Sequence, residues 1–407
     1  MTSAGKSRLS MLGNRCCGCG ACSAKCPKKC INMRVDISGF QYPVVDEDAC
    51  IACGMCESVC PAISIREKDS IEFVAWAKSL DSQNRAASSS GGVFALLAQA
   101  VLSTGGIVVG AAWEHDYKSV KHVIVDDQAN LCTIMRSKYV QSNVGNDVYI
   151  GVRSALTGGR RVLFCGTACQ VAGMNAFLGS LAESDLYLSA DVICHGVPSP
   201  LLWKKWINYK EAHAHGRITG VNMRSKATGW LTYSTAYSFE SDAPSINDTG
   251  SSTLINDGSI FTKDWFMKAF LSNACLRPSC FNCPAKRMCG SDITLGDFWG
   301  IQEVHPNVDY EGGVSAVICS SSRGLIALDG IKQRLAWGES TFEDVARGNP
   351  SLLHSVAPYC NSDCFMEDVT NDVSIVELMN RYTFVPSIWE RVCKKLDRIK
   401  KQFASVF

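Results

Sequence analysis

The sequence predicts an N-terminal α+β module followed by a larger α/β domain with a mainly parallel sheet. Two observations lead to this fold class: a cysteine spacing that occurs twice before residue 61, and an alternation of apolar strands, small-residue turns and helices after residue 70. The chain has 407 residues, which is enough for two or three domains with a sizeable core.

Composition excludes several classes of function. The 40 basic residues nearly balance the 39 acidic ones, so no global charge attracts nucleic acid or an acidic membrane. Hydrophobic residues make up 46% of the chain, which is typical of a folded protein and not of a disordered one. The most apolar stretch, 91–113, is interrupted by Gln99 and by Gly105-Gly106, so no membrane span is expected.

Cysteine is abundant, with 22 residues in the chain. The first fifteen residues contain no apolar run resembling a secretory signal, and the predicted location is therefore cytoplasmic. In a reducing compartment, cysteines serve more often as metal ligands or redox groups than as a disulfide framework.

Eight of the N-terminal cysteines form two copies of one spacing. In each copy, three cysteines separated by two residues are followed, after three residues, by a fourth cysteine that precedes proline. The copies are Cys16, Cys19, Cys22 and Cys26, then Cys50, Cys53, Cys56 and Cys60. This is the spacing of bacterial two-cluster ferredoxins, in which the fourth cysteine ligates the other cluster. The sequence therefore predicts an α+β ferredoxin-like two-cluster module over residues 1–68, with two 4Fe-4S clusters; a pair of four-cysteine zinc sites is the alternative.

Two further features of this module are open to more than one interpretation. Cys17 and Cys30 fall outside the repeated spacing and are predicted to be small packed residues. Residues 1–34 contain seven basic residues and no acid, whereas residues 35–60 contain five acids and no base. This asymmetry either gives the two clusters different reduction potentials or reflects only a solvated surface with a basic tail.

After residue 70 the pattern becomes that of an α/β domain. Strands are predicted at residues 71–77, 107–113, 161–164, 186–193 and 313–319, and helices at 93–103, after the turn 165–170 to 178, after 198 to about 213, and after 322 to 335. Alternating strands and helices favour a mainly parallel sheet, with ligands bound at the carboxyl ends of the strands.

The turn before the first of these helices is rich in small residues. Three serines and two glycines, 88–92, provide a helix cap and free N–H groups suited to an anionic ligand, although ordinary capping with close packing explains them equally well. Neither G-x-G-x-x-G nor a Walker loop occurs in the sequence. A flavin site would therefore be of another type.

Five ordered segments of the chain carry a resemblance to a known family. They are Ser-Ser-Gly-Gly-Val-Phe at 89–94, Ser-Lys-Tyr-Val-Gln-Ser at 137–142, Val-Leu-Phe-Cys-Gly-Thr-Ala-Cys-Gln-Val-Ala-Gly at 162–173, Cys-His-Gly-Val-Pro-Ser-Pro at 194–200 and Asp-Ile-Thr-Leu-Gly-Asp-Phe-Trp-Gly at 292–300. Together they resemble the beta subunit family of coenzyme F420-reducing hydrogenase and dehydrogenase, although Ala168 stands where that family usually has proline. The similarity extends from the cysteine module to about residue 365.

The resemblance implies that the α/β domain is flavin-binding, holds FAD and exchanges electrons with the clusters. It divides the chain after residue 68 into an N-terminal-type beta subunit region at 69–160, a C-terminal-type FAD and substrate domain at 161–365, and a C-terminal helical tail at 366–407. The residues implied to bind FAD are Ser89, Ser90, Gly91, Gly92, Lys138, Tyr139, Gln141, Ser142, Gly166, Thr167 and Gln170.

A third cysteine group precedes the last of these segments. It consists of Cys275, Cys280, Cys283 and Cys289, four thiols within fifteen residues. Four nearby thiolates suit a third 4Fe-4S cluster or a zinc ion. Cys289 departs from the ferredoxin spacing, so reduced and unligated cysteines are the remaining interpretation.

Five individual residues are candidates for chemistry. His195 follows a predicted strand and is a candidate proton donor or acceptor in catalysis, or a structural turn residue. Lys138 is suited to a reduced flavin or a phosphate, or to a surface ion pair. Asp297 is a candidate hydrogen-bond acceptor for the flavin. Cys165 and Cys169 form either a dithiol switch or a packed pair at a helix start, of which packing is the expected role.

These predictions combine into an iron-sulfur flavoprotein oxidoreductase. Its expected partners are a redox carrier or partner oxidoreductase and a small-molecule two-electron acceptor, which is a coenzyme F420-like deazaflavin or another substrate. One alternative is an electron-input subunit without a substrate of its own, for which the amphipathic stretch 388–403 is a candidate docking helix. The other alternative is a non-redox zinc protein.

Overall fold

The computed structural model describes residues 7–64, 69–241 and 254–384. Its strands are β1 (Ile31–Val35), β2 (Gln41–Val45), β3 (Phe73–Ser79), β4 (Ile107–Trp113), β5 (Val120–Val125), β6 (Ser142–Asn143), β7 (Val162–Thr167), β8 (Tyr187–Val192), β9 (Gly216–Ser225), β10 (Ser234–Ser241), β11 (Leu254–Ile260), β12 (Ile293–Asp297), β13 (Ser315–Cys319) and β14 (Leu335–Glu339). Its α-helices are α1 (Ala21–Lys25), α2 (Met55–Ser58), α3 (Ser82–Ala87), α4 (Val93–Leu102), α5 (Asn146–Thr157), α6 (Ala168–Leu178), α7 (Pro200–Ala214), α8 (Trp265–Leu271), α9 (Ile301–Val304), α10 (Ser322–Asp329), α11 (Phe342–Gly348), α12 (Ser362–Thr370) and α13 (Ile375–Arg381).

The N-terminal module is an α+β unit in which two cysteine loops flank a hairpin. Strands β1 and β2 pair in antiparallel fashion from Ile31↔Val45 onward. Each cysteine loop passes through a glycine with positive φ, Gly20 at 85° and Gly54 at 73°, and then begins a short helix. The left-handed conformation is inexpensive for glycine, so the repeated spacing gives the same backbone turn twice.

Among the described residues, nine strands form the central sheet, in the order β14-β3-β13-β12-β8-β7-β4-β5-β6. The four central strands β12, β8, β7 and β4 are parallel, as the sequence predicts for strand–turn–helix units. On one side, however, β12, β13, β3 and β14 pair antiparallel, and on the other β4 and β5 do. The prediction of a mainly parallel sheet is therefore wrong for the flanks, and the sheet is mixed.

Short connections explain much of this difference. Strand β5 follows β4 after a turn too short for a crossover helix, which favours antiparallel pairing.

The helix expected to reach residue 335 ends at Asp329, because Leu335 begins β14. Strands β9, β10 and β11, which the sequence does not predict, form a separate antiparallel sheet.

Helices cover both faces of the central sheet. On one face α4 packs against β4, β7 and β13, and on the other α5 and α6 pack beneath β7. Helices α7 and α8 pack against the β9–β11 sheet in a core rich in aromatic residues.

The described part of the predicted C-terminal tail joins this core. Helices α12 and α13 contribute Val369 and Leu378 from the tail, and Phe365 just before it, all fully buried, to the cluster around Trp206. The predicted docking helix at 388–403 lies outside the described residues. None of the described helices combines the length and the apolar character needed to cross a bilayer.

Candidate redox site

The functional candidates gather at one edge of the central sheet. Thr167 ends β7, His195 follows β8 by three residues, and Asp297 ends β12, so all three lie where these parallel strands terminate. The small-residue turn 88–92 precedes α4, which runs back along the sheet to β4. Parallel topology therefore brings the predicted segments to the expected edge, where they divide into two groups.

The first group surrounds Arg224 at the end of β9. The Arg224 guanidinium donates to the Ser89 carbonyl at 3.4 Å and to the Asp297 carboxylate at 3.0 Å, which also accepts from Trp230 at 2.8 Å. Arg224 thus joins two predicted flavin residues that are far apart in the sequence. Arg224 was not among the predicted site residues. The sequence signal for it is the Arg-x-Lys pair at 224–226, which places two cations at the end of β9.

Arg224 is 4% exposed and lies 4.0 Å from the centre of the Tyr233 ring and 5.0 Å from that of Trp299. Within the described part of the chain, its Nε is the buried side-chain nitrogen that lacks a hydrogen-bond partner. A buried donor without an acceptor is unfavourable, so a bound carbonyl or anion would satisfy it.

Other cations surround the same turn. The Lys226 ammonium donates to the carbonyls of Arg85, Ser90 and Gly312 at 2.6 to 2.7 Å, and burial lowers its pKa to about 8. Lys138 donates to the carbonyls of Met135 and Arg136, and burial, followed by the charge of Arg136, lowers its pKa to about 7. This concentration of positive charge is suited to an anionic ligand such as a diphosphate.

The predicted glycine-rich turn also has an internal packing role. A Cβ on Gly91 would lie 2.3 Å from the Ala77 carbonyl oxygen, and Gly92 has φ +90°. Ser90 donates to the Val314 carbonyl, and the Ser89 hydroxyl accepts from the Ser137 backbone N–H at 2.8 Å. Close packing therefore explains these side chains, while the Ser89 and Ser90 carbonyls face the cations.

Tyr139 belongs to this group as well. Its backbone N–H faces the sulfur of Met223 at 3.0 Å, and its ring stacks on Phe270 with centres 5.0 Å apart. It therefore lies beside Arg224, which follows Met223 in β9.

The second group lines a cavity at the ends of β7, β8 and β12. Gln141, Thr167, Gln170 and His195 all contribute to its wall. Thr167 and Gln170 form a capping box at the start of α6, with the Thr167 N–H donating to the Gln170 side chain at 2.9 Å. These two residues thus have a structural role, and Gly166 packs directly against Gln170.

His195 is half-buried and held by one polar contact. Its Nε2 lies 2.6 Å from the Asn273 Oδ1, and its ring meets Phe270 edge to face. Because the Asn273 oxygen accepts, Nε2 carries the proton, which leaves Nδ1 as the free ring nitrogen. Burial lowers the pKa of His195, so the neutral ring predominates at pH 7.

The same cavity collects cysteines from three separate segments. The third cysteine site, as we define it, comprises Cys169 in α6, Cys194 after β8, and Cys280 and Cys283 before β12. All four cysteines line this one cavity, and the charges of Cys280, Cys169 and Cys283 add to burial in raising the pKa of Cys194.

The structure does not bring together the four cysteines predicted for a third metal site. Cys275 is fully buried in the aromatic core around α7 and α8, beside Ser199. Cys289 packs near Tyr187 and donates to the Asp69 carboxylate at 3.4 Å. Cys280 and Cys283 therefore find their partners in Cys169 and Cys194, and not in the neighbouring cysteines of their own segment.

The N-terminal cysteines form two further sites. The first comprises Cys16, Cys19, Cys22 and Cys60, each 7 to 8% exposed. Cys16, Cys22 and Cys60 pack in one buried cluster, where burial, followed by the charges of Cys16 and Cys60, raises the pKa of Cys22.

The second cysteine site lines a cavity of about 190 Å³ and comprises Cys26, Cys50, Cys53 and Cys56. Each site thus takes three cysteines from one copy of the motif and the fourth from the other copy, which is the ferredoxin arrangement. The two sites differ in burial, because Cys53 is exposed whereas the first site is buried.

The two off-pattern cysteines also contact these sites. The Cys30 Sγ lies 3.4 Å from that of Cys26, and the Cys17 thiol interacts with those of both Cys19 and Cys169. Packing is therefore an incomplete description of Cys17, which links the first site to the third.

Across residues 7–64, 69–241 and 254–384, no three Cys, His, Asp or Glu side chains converge on a single-ion position. A 4Fe-4S cluster does not need such convergence, because each thiolate binds a different iron.

His122 is a buried residue of this edge that the sequence did not indicate. Its Nε2 donates to the Cys165 carbonyl at 3.1 Å, and its Nδ1 accepts from the Ser142 hydroxyl at 2.7 Å. Burial lowers the pKa of His122 from 6.5 to about 4. The Ser142 side chain, predicted to bind flavin, is thus engaged by a neutral histidine.

This histidine is expected to make the protein sensitive to acid. The unfolded chain binds a proton near pH 6.5 and the folded chain only near pH 4, so stability falls as pH falls through 6.5 and levels off below 4. Between pH 7 and pH 5 we expect the free energy of unfolding to fall by about 2 kcal/mol because of this group. In His122→Gln this part of the decrease should be absent. Anaerobic denaturant unfolding of both proteins at the two pH values measures it; equal pH slopes would contradict the assignment.

Comparison with known proteins gives two family matches. A model described as the C terminus of the coenzyme F420 hydrogenase/dehydrogenase beta subunit matches residues 159–344, and a model of a 4Fe-4S dicluster domain matches residues 15–63. No curated protein matches the chain. Among solved structures, the F420-reducing [NiFe] hydrogenase complex from Methanosarcina barkeri aligns at 14% identity with a TM-score of 0.45, covering 76% of this chain and 97% of that chain.

Proposed function

Because the chain is a member of the coenzyme F420 hydrogenase/dehydrogenase beta subunit family with an N-terminal 4Fe-4S dicluster domain, we propose that it is an iron-sulfur flavoprotein oxidoreductase. It passes electrons between a one-electron carrier and an organic two-electron acceptor through three clusters and FAD. The acceptor is a coenzyme F420-like deazaflavin or another small molecule.

The observation that carries this proposal is the third cysteine site. Four thiols from three separate segments of the chain line a single cavity at the sheet edge. Four thiols are the ligand set of a 4Fe-4S cluster. We therefore assign a third cluster to Cys169, Cys194, Cys280 and Cys283.

The burial of the three sites gives them an order. Electrons enter or leave most easily at the second site, where Cys53 is exposed and Cys50 and Cys56 are half-buried. The first site is buried beneath it, and Cys17 joins the first site to the third. The chain thus holds a continuous series of thiol sites from its surface to the edge of the central sheet.

The residues around Arg224 fit the second expected cofactor. The cations Arg85, Arg136, Lys138, Arg224 and Lys226 suit the diphosphate of FAD, and the free Arg224 Nε suits an oxygen of that ligand. When bound, a flavin exchanges electrons singly with clusters and in pairs with an organic acceptor. Asp297 orients Arg224 for this role, and His195 presents its free Nδ1 for proton transfer to the acceptor.

A redox partner is part of this proposal. Large apolar side chains are exposed on the cysteine module, including Ile37 at 80%, Ile51 at 57% and Met55 at 39%. Ile51 and Met55 flank the exposed Cys53, so a carrier protein docking there would approach the second site directly. The same surface would serve an electron-input subunit, which remains the second candidate function.

Anaerobic purification with iron, sulfide, zinc and flavin quantified per chain tests the function. We expect about twelve iron atoms, by the stoichiometry of three 4Fe-4S clusters, together with FAD. Arg224→Met is expected to lower the flavin content while retaining iron. The matched control is Lys210→Met, which removes a cation that packs on Trp206. Iron without flavin, even after incubation with FAD, would contradict the flavoprotein; zinc without iron would contradict the redox function.

A further inference from the structure

Arg277 is a fully buried cation at the junction between the cysteine module and the sheet domain. Its Nε donates to the Cys16 carbonyl at 2.7 Å, its Nη1 to the Gln141 side chain at 2.9 Å and its Nη2 to the Gln41 carbonyl at 2.8 Å. One guanidinium therefore ties the first cysteine loop and the β2 strand to the edge of the sheet.

The residues around Arg277 leave a closely fitting space for its side chain. A Cβ on Gly18, between Cys17 and Cys19, would lie 2.9 Å from the Arg277 Nη1 and 2.7 Å from the Gln141 Nε2. That glycine therefore leaves room for both side chains to reach the cysteine loop. Tyr42 and Phe40 place their rings 4.2 and 5.3 Å from the guanidinium carbon.

None of these hydrogen-bond acceptors carries a charge. Among the described residues, Arg277 forms no ion pair with a carboxylate, although a buried cation is strongly unfavourable without an anionic neighbour. Arg277 also lies against the third site, because the Cys280 N–H donates to the Arg277 carbonyl at 2.9 Å, and Gln141, which accepts from the Arg277 guanidinium, lines the cavity of that site. Cys16, whose carbonyl it contacts, belongs to the first site.

We propose that Arg277 sets the reduction potentials of the first and third clusters by supplying the buried positive charge between them. The inference rests on the proposed function, because it requires iron-sulfur clusters at both sites. A reduced cluster carries one more negative charge than an oxidised one, so a nearby cation stabilises the reduced form. In a buried, low-dielectric setting this stabilisation is large. The second cluster, nearer the solvent, is affected least.

Redox titration of the full-length protein, followed by electron paramagnetic resonance, tests the role of Arg277. In Arg277→Gln, the ratio of reduced to oxidised first and third clusters at a given potential is expected to fall at least tenfold, equivalent to about 59 mV for one electron. Arg277→Lys, which keeps the charge, is expected to restore most of that shift. Arg34→Gln, which removes an exposed cation of the same module, is the matched control and is expected to leave all potentials unchanged.

Each result has a defined meaning. Loss of iron from Arg277→Gln but not from Arg277→Lys would support the inference, because it would show that the clusters require a positive charge at this position. Unchanged potentials in Arg277→Gln, equal shifts in the Gln and Lys variants, or loss of iron from both would overturn the inference in favour of a purely structural tether. The iron content and signals of the unmodified protein test the proposed function separately, since they do not depend on Arg277 substitutions.

Discussion

Replacing Cys280 with serine is expected to reduce the iron content from about twelve to about eight atoms per chain, because the proposed third 4Fe-4S cluster loses a ligand. The signal of one cluster should disappear from the reduced protein, while those of the two N-terminal clusters persist. Iron analysis and electron paramagnetic resonance of the anaerobically purified variant measure both effects. Loss of this cluster would also interrupt electron transfer between the module and the sheet edge.

Cys275→Ala provides the matched control for this experiment. Cys275 lies five residues earlier in the same segment and is fully buried in the core around α7 and α8, whereas Cys280 is half-buried and lines the cavity. This variant is expected to retain all of its iron, and Cys289→Ala likewise. If Cys275→Ala or Cys289→Ala lost four iron atoms while Cys280→Ser kept them, the cavity at Cys169 and Cys194 would not be the cluster site.

Replacing Asp292 with asparagine is expected to destabilise the fold by about 3–5 kcal/mol, because it removes one partner of a buried charged network. Asp292 is 1% exposed and immediately precedes β12. Its carboxylate accepts from the Ser189 N–H and hydroxyl in β8, from the Ser321 hydroxyl, and from the Arg323 guanidinium in α10. An amide cannot accept all of these bonds and leaves Arg323 without its buried counter-charge.

Anaerobic guanidinium unfolding of the loaded protein measures this loss. Asp329→Asn is the matched control, because it breaks an exposed pair with Lys332 at the end of the same helix. That pair is expected to contribute less than about 1 kcal/mol. Similar unfolding free energies for the two variants would show that Asp292 does not hold α10 and β8 to the sheet.

Local sequence patterns were sufficient for the cysteine module. The two copies of the cysteine spacing place three thiols in one tight loop, and the glycines at 20 and 54 provide the required turns. The same is true of individual elements such as β4, whose predicted bounds of 107–113 agree with the structure. Apolar patterning and turn residues are properties of neighbouring residues, so they are visible without a fold.

Long-range pairing was less accessible. Strands β13 and β3 have the composition of buried strands in either orientation, and composition does not distinguish parallel from antiparallel partners. Arg224 was overlooked for a related reason. Its role depends on Ser89 and Asp297, which lie 135 and 73 residues away in the sequence.

The sequence by itself determined the fold of the cysteine module, the strand–turn–helix units and the sheet edge at which candidate residues gather. Only the tertiary structure decided that Cys280 and Cys283 meet Cys169 and Cys194, and not Cys275 and Cys289. The physical reason is that nearness along the chain does not set the direction of a side chain. In a sheet that joins distant segments, the order and orientation of strands decide which thiols share a cavity and which are buried in the core.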